Sequence, residues 1–107
     1  MSKLDVNYSP ELDILSIDDT ESEYGRSIRS GDFTVDLDPN GELRGVEIQN
    51  ISRMLGVDRE QLQNITEAEL QLVSSGENAQ ITVRLKVEEE RTTLAAQIQD
   101  TSAPSTA

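Results

Sequence analysis

Apolar and polar residues alternate along most of this chain, and the alternation predicts strands. Leu4, Val6 and Tyr8 alternate with Asp5 and Asn7, the period at which one face of a strand meets a core. Ile14-Leu15-Ser16-Ile17 reads as a short partner strand. The turn signal Ser9-Pro10-Glu11 lies between them, with Pro10 removing a backbone donor. Asp18 to Ser30 is acidic and polar and reads as a loop. Phe33, Val35 and Leu37 then alternate with Thr34, Asp36 and Asp38 as a third strand, and Leu43 to Gln49 supplies a fourth. Asp38-Pro39-Asn40-Gly41 is a type I turn sequence, with Pro at the second position and Gly at the fourth. Gly41 also suits the left-handed residue of a bulged hairpin. Leu37 then faces Leu43 and Asp36 faces Arg44. A second bulge at Gly45 would bring Val46 opposite Val35 and Ile48 opposite Phe33.

The period changes after Gln49. Asn50 is placed to cap a helix beginning at Ile51 and ending near Gly56. Asp58 with Gln61 three residues on fits a capping box for another helical turn. Ile51, Leu55, Leu62 and Ile65 form the expected buried stripe. Alternation then resumes: Ala68, Leu70 and Leu72 against Glu67, Glu69 and Gln71, and Ile81, Val83, Leu85 and Val87 against Thr82, Arg84 and Lys86. Ser75-Gly76-Glu77-Asn78 reads as the loop between them. One antiparallel register sets Leu72 opposite Ile81, Leu70 opposite Val83 and Ala68 opposite Leu85. It also sets Glu69 opposite Arg84 and Glu67 opposite Lys86. Apolar pairs share one face and opposite charges the other, and a slip of one residue destroys both matches. In 91–99, Leu94, Ala96 and Ile98 fit a strand, whereas Leu94, Ala95 and Ile98 fit a helix. We read a strand, because Glu88-Glu89-Glu90 can return the chain along its neighbour. The expected fold is therefore α+β and mainly antiparallel, with hairpins over 4–17, 32–49 and 67–87, a last strand at 91–99 and a short helical segment at 51–65. Residues 1–99 read as a single domain and 100–107 as a disordered tail.

Composition narrows the functions open to such a fold. At 107 residues with 35% apolar and 3% aromatic content, the core is small and aliphatic, and pairing with a second copy would help it. The 21 acids against 9 bases give a net charge of −12, which repels nucleic acid and anionic lipid. Such charge fits a well-dispersed soluble protein first, a salt-adapted source second and a basic protein partner third. The chain holds no Cys and no His. Disulfides, thiolate zinc sites and a Ser-His-Asp arrangement are therefore excluded. No apolar run of ~18 residues is present to span a membrane, and Met1 to Asp5 carry no signal-like apolar stretch. The expected location is cytoplasmic. No cofactor is implied.

Several places are candidates for chemistry or contact. Asp36, Asp38, Asn40, Gly41 and Glu47 fit the twelve-residue spacing of a calcium loop, in which oxygens converge from one tight turn. Such loops join helices, however, while the residues before Asp36 alternate at strand period and Pro39 stiffens the would-be cage. The hairpin reading accounts for more residues, and calcium at Asp36, Asp38, Asn40 and Glu47 stays an alternative. Glu11 and Asp13 suggest a paired acid or metal site, against a plainer reading in which they satisfy turn donors and face water. Asp18, Asp19, Glu21 and Glu23 resemble metal ligands but read as a solvated charge run. Tyr8 reads as a half-buried core residue. Tyr24, beside Arg26 and Arg29 in an acidic loop, is the better interaction candidate. Ile51, Met54 and Leu55 read as core, with closure of a dimer as the alternative.

Tyr8-Ser9-Pro10-Glu11-Leu12-Asp13-Ile14-Leu15, Val35-Asp36-Leu37-Asp38 with Gly41, Gly45-Val46-Glu47-Ile48 and Ser52-Arg53 together resemble the small prokaryotic domain-of-unknown-function family 2283. The resemblance covers about Leu4 to Leu55. It implies an antiparallel β domain with a small helix and no particular activity. Because such domains occur beside small toxin-like genes, it also implies an antitoxin-like role as an option. The chain departs from the family's short form in its added Glu67–Gln99 region, in Ser16 where an aromatic is common, and in its long Thr20–Ser30 loop. The expected function is that of a non-enzymatic structural or protein-interaction domain that self-associates. A partner of a small basic protein ranks second and a calcium module third.

Overall fold

The computed structural model describes residues 4–75 and 78–99. The expected tail at 100–107 lies outside the described residues, as do Gly76 and Glu77 of the expected loop. The described residues form two antiparallel sheets. The first is built from β1 (Leu4–Ser9), β2 (Ile14–Asp19), β3 (Arg26–Ser30), β4 (Phe33–Leu37) and β5 (Leu43–Gln49), in the order β1-β2-β5-β4-β3. A one-and-a-half-turn helix, α1 (Ile51–Leu55), and a 3-10 turn (Gln61–Asn64) lead to the second sheet. That sheet is a meander of β6 (Ile65–Ser75), β7 (Asn78–Val87) and β8 (Glu90–Gln99). The fold is the expected one, mainly antiparallel β with a short helical segment.

Alternation places the core. Leu15, Ile17, Phe33, Val35, Leu37, Val46 and Ile48 of the first sheet are buried in one cluster with Ile81, Val83, Leu85, Val87 and Ile98 of the second. Ile51 of α1 and Leu62 of the 3-10 turn join it. The second hairpin thus packs on the first sheet rather than extending it. At one side Ser30 Oγ donates to the Gln97 carbonyl oxygen at 3.1 Å, tying edge strand β3 to edge strand β8.

The register of the second sheet is the one its residues predict: Leu72 pairs with Ile81, Leu70 with Val83, Ala68 with Leu85 and Glu69 with Arg84. Glu67 stands opposite Lys86, but its carboxylate lies 3.8 Å from Arg91 on β8 instead. The ambiguous segment 91–99 falls in strand β8, paired along its whole length with β7. Val87 and Glu90 close the β7–β8 hairpin across two residues, and Glu88 takes a positive φ of 56°.

One expected element is overturned. The supposed loop Asp18–Ser30 contains a strand, β3, and the end of β2. Arg26-Ser27-Ile28-Arg29-Ser30 has only Ile28 as a large apolar residue, so period-2 patterning is too faint to see. Its inward positions face the rim of the core, where Ile28 opposite Val35 suffices.

Candidate functional site

The Pro10–Asp13 turn delivers one carboxylate into the protein. Asp13, with a φ of 55°, is 4% exposed and is the buried charged residue among those described. A buried carboxylate needs several donors to offset lost hydration. Its Oδ1 accepts from the Tyr8 hydroxyl at 2.7 Å and from the Ser52 backbone N–H at 3.1 Å. Its Oδ2 accepts from Ser52 Oγ at 2.7 Å, and its carbonyl oxygen accepts from the Ile51 N–H at 3.4 Å. Residues 51 and 52 open α1, whose first N–H groups lack partners inside the helix. Asp13 therefore caps a helix that begins far along the chain. Asn50, expected to do so, makes no side-chain cap. Its φ is 57° and its amide donates to Asp32 Oδ1 at 3.2 Å. Arg59 clamps the same turn, donating to the Pro10 carbonyl at 2.7 Å.

Burial pushes the Asp13 carboxyl up, but the hydrogen bonds from Tyr8 and Ser52, with the charge of Arg59, outweigh it and hold it below its ordinary value. Burial, with the Asp13 hydrogen bond and charge, pushes the Tyr8 hydroxyl up to about 12, against the opposing Arg59 charge. At neutral pH the pair is a carboxylate and an intact phenol. Neither group is poised near 7, as general acid–base work needs. The expectation that Asp13 faces water is corrected; Glu11, in contrast, is exposed.

A second polar assembly lies on the outer face of the first sheet. The β4–β5 ladder pairs Leu37 with Leu43 and Asp36 with Gly45, so Arg44 is the extra residue of a bulge. The bulge thus falls one residue earlier than the expected one at Gly45; beyond it, Val35–Val46 and Phe33–Ile48 pair as expected. Arg44 Nη1 lies 3.9 Å from Asp18 Oδ1 and 4.0 Å from Asp36 Oδ2. Its Nε donates to the Ser22 carbonyl at 3.1 Å, and its guanidinium lies 6.0 Å from the centre of the Tyr24 ring. Ser27 Oγ donates to Asp36 Oδ1 at 2.6 Å and sits 2.9 Å from the Tyr24 hydroxyl. Burial pushes the Asp18 carboxyl up, Arg44 opposes this, and the Asp36 and Asp5 charges add to it, for a net rise. Gly45 makes room for the assembly: a Cβ there would come within 2.6 Å of the Ile17 carbonyl oxygen and would strike the Asp18 carboxylate.

The calcium-spaced residues go separate ways. Asp36 serves Ser27 and Arg44. Asp38 Oδ1 accepts from the Asn40 N–H at 2.9 Å and the Glu42 N–H at 2.8 Å, closing the turn on itself. Gly41 takes a φ of 82° and donates to the Asp38 carbonyl at 2.9 Å, completing the expected bulged turn. Glu47 stands in mid-sheet between Ser16 and Thr34. Among the described residues no three carboxylates gather at metal-ligating distance. Tyr24 stays 58% exposed, while Arg29 donates to Gln49 Oε1 at 3.2 Å. Asp19 accepts from the Glu21 N–H at 3.0 Å. Sequence reasoning missed the bonds from Ser52 to Asp13 and from Arg44 to Asp18. The signal available was an acid at the first turn together with a Ser at the helix start, two features joined only by tertiary structure.

Apart from Arg59, the residues that make both assemblies, from Tyr8 through Gly45 to Ser52, lie within one stretch of chain. The chain matches the DUF2283 family, described as a protein of unknown function, over residues 5–52. No curated protein and no solved structure matches it. The matched segment thus comprises nearly all of the first sheet and ends at Ser52, the residue Asp13 holds. The 3-10 turn and the whole second sheet lie beyond it.

Proposed function

We propose that this domain is a non-enzymatic protein-interaction module that works as a homodimer. The observation that carries the reading is how its polar groups are used. Asp13, Tyr8, Asp36 and Arg44, the central residues of the two polar assemblies, are engaged in holding backbone and turns. Strand edge stays open to a partner, and unpaired edges are templates for association. A small aliphatic core gains from a second copy, since association stabilises by mass action. Sedimentation of the full chain over a wide concentration range tests this. A dimer whose unfolding midpoint rises with concentration is expected; a monomer at every concentration removes the reading.

One feature favours a second reading, a small basic protein as partner. Asp5, Asp18, Asp36 and Glu47 share the outer face of the first sheet with Arg29 and Arg44, a surface of net negative charge. Pull-down from the native source separates the two: a basic protein as sole partner supports this reading, and recovery of the same chain alone supports the first.

A further inference from the structure

The four strand edges are not equally protected. β3 and β8 lie against each other through Ser30 and Gln97. β1 is only six residues long. β6 is the longest strand, at eleven residues. It is bulged only at its start, where the register shifts between Ile65 and Glu67. From Ala68 to Val73 it has no Pro, Lys, bulge or inward charge, and Glu69 is the one charged residue in that stretch. Beside it lies an open cavity of about 540 Å³, lined in part by Leu4, Leu43, Leu70 and Leu72, which are all only half-buried.

We infer that β6 is the dimer edge, pairing antiparallel with β6 of a second copy about a two-fold axis at Leu70. This inference rests on the homodimer reading above. Charge narrows the register. With Leu70 opposite itself, Glu69 meets Gln71 and Glu67 meets Val73, so no two acids face each other. Ala68 meets Leu72 on the inner face, which adds apolar contact beside the cavity. A two-fold axis at Glu69 would set that acid against its own copy, and one at Ala68 would set Glu67 against Glu69, a cost in each case. Electrostatics also select this sheet. Its outer face balances Glu67 and Glu69 with Arg84, Lys86 and Arg91, whereas on the outer face of the first sheet Asp5, Asp18, Asp36 and Glu47 outnumber Arg29 and Arg44. The whole chain carries −12, and two copies meet here with the least repulsion.

Gln71 is exposed and stands opposite the uncharged Thr82 within its own sheet, so either charge is tolerated there by the monomer. Gln71→Glu places two like pairs across the axis and Gln71→Lys two opposite pairs. The dimer dissociation constant, read by sedimentation, should rise about fivefold in the first and fall by a similar factor in the second. Gln80→Glu and Gln80→Lys, on the central strand, change net charge equally and should shift it far less. If the protein dimerises but the Gln71 variants move no further than the Gln80 pair, β6 is not the interface and the dimer reading stands. If the wild type is monomeric throughout, the dimer reading itself fails and the interface with it.

Discussion

The two sheets are held in register by different means. In the second sheet each strand pairs with its neighbour in sequence, and alternation fixes which face is buried. Its ion pairs, Arg84–Glu69 at 3.7 Å and Arg91–Glu67 at 3.8 Å, lie on an open surface, where such pairs are worth little. In the first sheet β2 pairs with β5 across a long excursion of chain. Loop closure of that kind costs entropy before it gains contacts. There the structure adds fixed points: the Asp13 bonds to Ser52 at one end and the Arg44 bulge beside Gly45 at the other. Local pairing can rest on pattern alone, whereas distant pairing in this domain is secured by buried or half-buried polar bonds.

Substitutions separate these two modes, beginning with the largest effect. Asp13→Ala should cost about 3 kcal/mol in urea unfolding, because it leaves the Ser52 N–H and the Tyr8 hydroxyl without their partner. For a domain of this size that is a large part of total stability. A cost below 1 kcal/mol would mean the first sheet does not depend on the bond. The same group sets a pH response. Its folded pKa lies below the ordinary 3.8, so its contribution is fully present above that value and is lost as pH falls through the lower folded value. Asp13→Asn should flatten that acid limb of the stability curve.

Gly45→Ala should cost about 2 kcal/mol by pushing the added Cβ against the Ile17 carbonyl and the Asp18 carboxylate; thermal unfolding reads it. The second sheet should respond weakly. Glu88→Gly should stabilise by about 0.5–1 kcal/mol, because Glu88 has a positive φ that glycine adopts without strain, and a raised melting temperature is the check. Arg84→Glu sets like charges opposite at Glu69 and should cost only about 0.5 kcal/mol, within reach of chemical denaturation. If it cost as much as Asp13→Ala, the contrast between the sheets would collapse.

The same contrast governs what was legible in the sequence. The β6–β7 register was readable because apolar and charged pairs both depend on it. The Pro39-Asn40-Gly41 hairpin was readable because turn chemistry is local. β3 was not, since a rim strand with one large apolar residue leaves no periodic trace. The bulge at Arg44 was legible to within one residue, since the apolar pairs on either side of the turn demand an extra residue near Gly45. The Asp13 cap was not legible: Asn50 is the better local candidate, and its left-handed backbone and bond to Asp32 belong to the folded state. The calcium spacing shows the reverse error. Its residues recur at the right intervals, but a hairpin sends Asp38 into its own turn and Glu47 into the middle of a sheet.

The point at which the DUF2283 match stops bears on how such a chain can diverge. One face of the matched sheet is apolar, and its cover comes largely from Ile81, Val83, Leu85 and Ile98, all outside the match. A cover of that kind needs shape and greasiness rather than particular side chains. In the sheet and its Asp13 latch, by contrast, particular side chains make particular bonds. The lid needs only to keep the buried face dry, by whichever apolar side chains fill the space.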